Sequence, residues 1–182
     1  MGTTRIETNR LILRQFNDVD YIEAFNNWCN DPEVTKFLTW EPHGNLSVTK
    51  SVIDSWIVQY CDENYYQWVI ELKDTHILVG SMAIVRINNG VYTIGYCIGK
   101  KFWHQGITSE AFSAVIKYLF TNTNCVAIEG EFEFGNPHSG MVMQKCGLKY
   151  YQDKDMKTKD GINKVHCYRL EKSDYENSIK TK

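Results

Sequence analysis

Two short stretches carry residue types whose spacing can do chemistry. FWHQGITSEA, Phe102 to Ala111, sets a single glycine among polar side chains between a β-rich run, YTIGYCIG, and the helix-patterned AFSAVIKYLF. The N–H groups of a chain entering a helix lack carbonyl partners, and the aligned peptide dipoles add positive potential, a combination that binds phosphate. Gly106 lets the backbone approach an anion closely, while Thr108 or Ser109 caps the helix and can lend a hydroxyl. An ordinary turn and cap accounts for the same residues, so this spacing alone leaves both readings open. The glycine and lysine spacing of a Walker loop is absent. The second stretch, NPHSGMVMQKCGL, reads as a short helix with Asn136 as N-cap, Pro137 at the first helical position and Gly147 just past the last turn.

Other chemistry-bearing residues are scattered. Glu129, Glu131 and Glu133 share one face of VAIEGEFEF, with Val126, Ile128, Phe132 and Phe134 on the other. Such a row is either a solvated sheet face or a wall that attracts a cation. His104 and His138 have no carboxylate orienter nearby in the sequence and read as loop side chains. The six cysteines stand singly in apolar surroundings, with no C-x-x-C pair, and read as reduced thiols.

These groups need a scaffold. RLILRQF alternates as a first strand, and DVDYIEAFNNWCNDPEV reads as a helix ending near Asp31-Pro32. A turn-rich segment, Phe37 to Ser47, precedes a second helix bearing Val48, Val52, Ile53, Trp56, Ile57 and Tyr60 on one side. Three strand-like runs follow, the last two joined at Asn89-Gly90, a type I′ hairpin signal. The helix after FWHQGITSEA spans Ser109 to Phe120 and leads to the acidic strand, the capped helix and two final strands around a polar loop, Asp153 to Asn163. The order β-α-α-β-β-β-α-β-α-β-β describes an α/β (α+β) protein with a mixed, strongly twisted, mostly antiparallel sheet, helices on both faces and one strand-helix-strand crossover, Val91 to Phe134. Residues 1–171 are expected to form a single domain and 172–182 a polar tail.

Composition narrows the function classes. In 182 residues, 20 Lys and Arg against 22 Asp and Glu leave no cationic excess for a nucleic-acid backbone. No apolar leader or membrane-length apolar run occurs, so a cytoplasmic protein with neither nucleic acid nor membrane as partner is expected, as a monomer or homodimer.

The stretch IGYCIGKKFWHQGITSEAFSAVIKYLF resembles the acetyl-CoA motif of the GNAT N-acetyltransferases, and within them the ribosomal-protein-alanine (Rim-type) branch with its Trp-Gly-x-Gly-x-Ala-x-Glu-Ala version. Trp103, Gly106, Glu110 and Ala111 match that version; His104 replaces the first glycine and Thr108 the small residue. NPHSGMVMQKCGL is similar to the branch's second motif at Asn136, Ser139, Val142, Lys145 and Gly147, and TNRLILRQFNDVD resembles its opening strand.

The resemblance implies direct acetyl transfer from acetyl-CoA to an amine, a protein N-terminus in the Rim-type branch. Pantetheine would lie along Tyr96, Cys97 and Ile98, a backbone N–H near Cys97–Ile98 would face the thioester oxygen, and the pyrophosphate would take the N–H groups of Trp103, His104, Gln105, Gly106, Ile107, Thr108 and Ser109. Many relatives carry a tyrosine where this chain has Met143; Ser139 is the branch's alternative proton donor. Asn136 would cap its helix or touch cofactor or substrate, and Glu131 or Glu133 would serve as base through water. Trp40, Glu41 and His43, with the late loop, would choose the acceptor. A small amine such as a polyamine, amino sugar or antibiotic, or a non-catalytic acyl-CoA-binding module, remains an alternative.

Overall fold

A computed structural model describes residues 2–180. One eight-stranded sheet runs through the molecule in the order β1-β2-β3-β4-β5-β6-β8-β7. Its strands are β1 (Ile6–Glu7), β2 (Leu11–Arg14), β3 (Gln67–Leu72), β4 (Leu78–Asn88), β5 (Val91–Ile98), β6 (Ala127–Glu133), β7 (Lys149–Thr158) and β8 (Gly161–Glu171). All neighbours are antiparallel except β5 and β6, the crossover pair expected from the sequence. Asn89 and Gly90 both have positive φ, 49° and 78°, as a type I′ turn requires.

Strand alternation divides the core into two layers. Leu11, Leu13, Trp68, Ile70, Met82, Ile94, Ile128 and Phe132 pack with α4 (Ile107–Asn122) and α5 (Pro137–Lys145). Phe112, Val115, Ile116 and Leu119 of α4 are buried at the expected i, i+3, i+4, i+7 spacing; each such side chain contributes roughly 1.5–3 kcal/mol of transfer free energy. Val69, Leu78 and Phe16 pack on the other face with Trp28, Cys29 and Ile53, the last from α3 (Leu46–Gln59). Among the described residues no helix is long and apolar enough to cross a membrane.

Three local departures from the sequence reading stand out. The first expected helix is broken into α1 (Tyr21–Ala24), a π-helical turn over Phe25–Cys29 and α2 (Pro32–Thr35), where the Asp31 side chain caps a new start by accepting from Glu33 N–H at 2.8 Å. Strand pairing replaces most of the expected loop 153–163, since β7 and β8 pair up to Thr158 opposite Gly161. Lys172–Lys180 form a helix, α6, whose Tyr175 ring lies 5.1 Å from that of Phe120.

The feature that positions the site is a fork. β5 and β6 pair only from Val91 opposite Ala127 to Ile94 opposite Gly130; beyond that point β5 continues with β4 to Ile98 and β6 with β8 to Glu133. A register shift in β4 between Ile84 and Arg86 lies opposite Ile94 and Thr93, and such a bulge raises the local twist where the two strands part.

Candidate active site

At one side of the fork lies FWHQGITSEA. Helix α4 starts at Ile107 with Gly106 as N-cap at φ 74°, and no side chain caps it. Thr108 and Ser109, expected as caps, sit inside the first turn instead. The first helical bond runs from Glu110 N–H to Gly106 O at 3.0 Å, so the amides of Ile107, Thr108 and Ser109 come before any helical acceptor. The Ile107 and Ser109 side chains are buried, leaving them their backbone to offer. Trp103 N–H is taken by Lys100 O at 3.2 Å, and its indole Nε1–H donates to Ile98 O at 2.7 Å, folding the ring over the end of β5.

Glu110 fastens this loop. Its carboxylate accepts from Thr8 Oγ1 at 2.6 Å, Arg10 N–H at 2.9 Å and Arg10 Nε at 2.7 Å, while Arg10 Nη1 donates to Gln105 O at 3.0 Å. Burial alone would raise the Glu110 pKa, but the Thr8 and Arg10 hydrogen bonds bring it below the ordinary carboxylate value. Beside Gly106, Arg10 Nη2 and Lys145 Nζ lie 3.6 Å and 4.0 Å from the point a Cβ would occupy. Free amides at a helix start with two cations against a side-chain-free position fit a pyrophosphate. The motifs that contain Arg10 and Lys145 did not show that both cations converge on Gly106.

The fork supplies the next surface. Gly99 N–H bonds Val79 O at 2.8 Å, and alternate residues of an antiparallel strand turn their backbone groups to the same neighbour. Cys97 therefore faces β4, while the Tyr96 and Ile98 backbone groups face the fork, where β6 has turned away. The Cys97 thiol lies 3.3 Å from Ser81 Oγ on the opposite side of the sheet from α4, and burial raises its pKa, so it stays a thiol.

Helix α5 closes the other side. The Asn136 side chain accepts from Ser139 N–H at 3.4 Å, Pro137 begins the helix and Gly147 follows it at φ 91°, as the sequence indicates. Ser139 Oγ lies 2.7 Å from Tyr96 Oη, which spans the fork from β5. His104 and His138, separate in the sequence reading, come together edge to face with ring centroids 5.3 Å apart.

The acidic row is not an open wall. Glu129 accepts from Arg169 at 3.2 Å, Glu131 is bound by Arg86 and by Lys154 at 2.7 Å, and Glu133 Oε2 accepts from Asn163 Nδ2 at 3.0 Å. Glu131 is thus held between two cations. Glu133, the last of the row, is met by a neutral amide.

Segments expected to choose the acceptor meet beyond the end of β6. Lys159 Nζ reaches Thr35 O at 3.1 Å and Glu41 at 3.3 Å, tying the β7–β8 hairpin to the loop after α2. The Phe37 ring lies 3.1 Å from the Cβ position of Gly135. His43 Nδ1 is 2.7 Å from Thr49 Oγ1 and its ring 5.0 Å from Trp40; burial lowers the His43 pKa. Two surface depressions, one beside Tyr66 and Tyr92 and one beside Phe134 and Met141, include none of the fork residues Tyr96–Ile98.

Comparison with known proteins agrees with this geometry. Residues 10–149 match the family described as Acetyltransferase (GNAT) domain, so the chain belongs to the GNAT acetyltransferases and is an acetyl-CoA-dependent N-acetyltransferase. It is 28% identical over 166 residues to the uncharacterized N-acetyltransferase YoaA of Bacillus subtilis, covering 90% of this chain and 88% of that one. A GNAT-family acetyltransferase from Bacillus anthracis superposes with a TM-score of 0.82 at 21% identity, over 93% of this chain and 99% of the other. RimL, the ribosomal L7/L12 alpha-N-protein acetyltransferase, solved with coenzyme A, superposes with a TM-score of 0.80 at 16% identity, over 92% and 98%.

Proposed function

We propose that the chain transfers acetyl from acetyl-CoA to the N-terminal amine of a protein, both substrates being bound together. The Ser139 hydroxyl, held 2.7 Å from Tyr96 Oη across the fork, is the observation that carries this reading, because it puts a hydrogen-bond donor where the pantetheine arm would end. The amides from His104 to Ser109, with Arg10 and Lys145, hold the pyrophosphate, and the Tyr96 backbone groups with the Ile98 N–H align the arm as a strand would, the Ile98 carbonyl being taken by Trp103. The Ile98 N–H, not that of Cys97, faces the thioester oxygen. Glu133 relays the proton of the attacking amine through water, while Glu131, engaged by Arg86 and Lys154, serves the sheet. Asn136 orders the turn that presents Ser139.

The acceptor follows from charge. An open acidic row would favour polyamines and other cationic small molecules, but here each glutamate of the row already has a partner within the sheet. The two Rim-type motifs favour a protein N-terminus, in line with the alpha-N-protein activity named for RimL. Thiol release from acetyl-CoA is the test, comparing peptides with a free α-amine, the same peptides blocked at that amine, and polyamines. Turnover confined to free α-amines is expected; equal or faster turnover of polyamines contradicts the acceptor, and none with any amine contradicts catalysis.

A further inference from the structure

Tyr96 Oη makes two contacts with Ser139: Oγ at 2.7 Å and the backbone carbonyl oxygen at 3.1 Å. A phenol has one proton to donate and a serine hydroxyl one. With the Tyr96 proton on the carbonyl, the short contact must be made by the Ser139 proton, which then points back at Tyr96. With the Tyr96 proton on Oγ, the Ser139 proton is free to point elsewhere. Tyr96 thus decides which way the Ser139 hydroxyl donates.

We propose that Tyr96 is a positioning residue that turns the Ser139 hydroxyl toward the sulfur of a thioester lying in the fork. The proposal rests on the acetyl-transfer reading above. The Tyr96 ring is fixed against Phe112, with centroids 5.6 Å apart, so the phenol approaches Ser139 from a constant direction. Burial raises the Tyr96 pKa well above its ordinary value, outweighing the Ser139 hydrogen bond, and keeps the phenol a donor. In the transfer, the amine lone pair forms the new C–N bond and the C–S bond breaks with its electron pair on sulfur. Ser139 stabilises that charge by a hydrogen bond without losing its proton. The proton shed by the nitrogen passes to water, and the sulfur takes one up from water on release, so the charges balance. With the Met143 side chain buried in the core, this pair supplies the donor.

The thiol of bound coenzyme A reports this directly and without turnover. Its thiolate absorbs in the ultraviolet, so its ionisation can be titrated on the wild type and on the Tyr96→Phe, Ser139→Ala and double variants. Tyr96→Phe keeps the ring on Phe112 and is expected to stay folded and to bind coenzyme A, which melting and binding measurements verify. Each single variant should hold about tenfold less thiolate at a given pH in the titrating range, as for loss of one hydrogen bond to a charge. The double variant should lose no more than Ser139→Ala, because the two hydroxyls act in series. Equal thiolate in wild type and Tyr96→Phe, or losses that multiply in the double variant, overturns the proposal. Failure of the wild type to bind coenzyme A overturns the transferase reading with it, whereas binding with an unshifted thiol overturns this inference alone.

Discussion

Met143 of α5 lies directly over Gly130 of β6: a Cβ on Gly130 would stand 2.6 Å from Met143 Cε and 2.7 Å from its sulfur. The contact buries Met143 to 1% exposure and lets α5 settle onto the strand at the point where the fork opens. The Met143 side chain points into the core, and in the proposed function the donor is Ser139, one turn earlier. Met143→Tyr is therefore expected to lower stability by about 1–3 kcal/mol through overpacking without raising turnover, as a melting curve and an initial-rate assay would record. A stable, faster variant would contradict this packing account.

Gly106 holds φ 74° with no atom closer than 3.6 Å to its Cβ position. Gly106→Ala is strained by its backbone and not by a clash, so a stability loss of about 1 kcal/mol is expected. Because the same turn aims the amides proposed to bind the pyrophosphate, acetyl-CoA affinity should fall by about tenfold. Calorimetric titration alongside thermal melting checks both, and unchanged affinity would remove this loop from the cosubstrate site.

Glu131 and Glu133 should separate cleanly. Glu131→Gln leaves Arg86 and Lys154 facing each other across a neutral amide and is expected to cost roughly 1–3 kcal/mol of stability with turnover largely kept. Glu133→Gln should keep the fold and the bond to Asn163 through its amide oxygen, yet lower kcat by about 10²-fold or more if Glu133 is the relay base. The reverse pattern would move the base to Glu131.

Acid should loosen the β2–β3 end of the sheet. Glu71 accepts from Arg14 Nε at 2.7 Å and lies 2.6 Å from His76 Nδ1, and Arg14 continues to Asp20 at 2.7 Å. Burial raises the Glu71 pKa, but the bonds from His76 and Arg14 outweigh it and leave the folded value below the ordinary 4.5. A depressed folded value stabilises the protein fully above the unfolded pKa, and this contribution is lost as pH falls through the folded one. Melting temperature should thus drop as pH falls below about 4.5, and Glu71→Gln should show a lower but flatter profile in that range. A Glu71→Gln profile as steep as the wild type would assign the acid sensitivity elsewhere.

Local signals made much of this architecture readable. The Asn89-Gly90 turn, the Asn136-Pro137 start and Gly147 end of α5, and the buried stripe of α4 all follow from spacing and turn chemistry. The two-residue β1 is too short to show alternation, and the π-helical turn at Phe25–Cys29 keeps the composition of a continuous helix. At the proposed site, the Gly106 loop and the Ser139 turn were legible through motifs. The partners that define their chemistry were not: Tyr96 and Ser139 are 43 residues apart, Lys159 and Thr35 are 124, and Glu131 and Arg86 are 45. Only the folded sheet, with its fork between β5 and β6, brings these pairs together. Sequence therefore showed the acidic row without the cations that hold two of its members, Arg169 on Glu129 and Arg86 with Lys154 on Glu131.

Incubation of the purified protein with acetyl-CoA and a free-N-terminal peptide, following released thiol and peptide mass in the same sample, tests the central claim most directly. The account predicts one thiol released per acetyl group gained at the peptide α-amine, with the rate reduced in Ser139→Ala. Thiol release with no acetylated peptide, or tight acetyl-CoA binding with neither product for any amine, would contradict it.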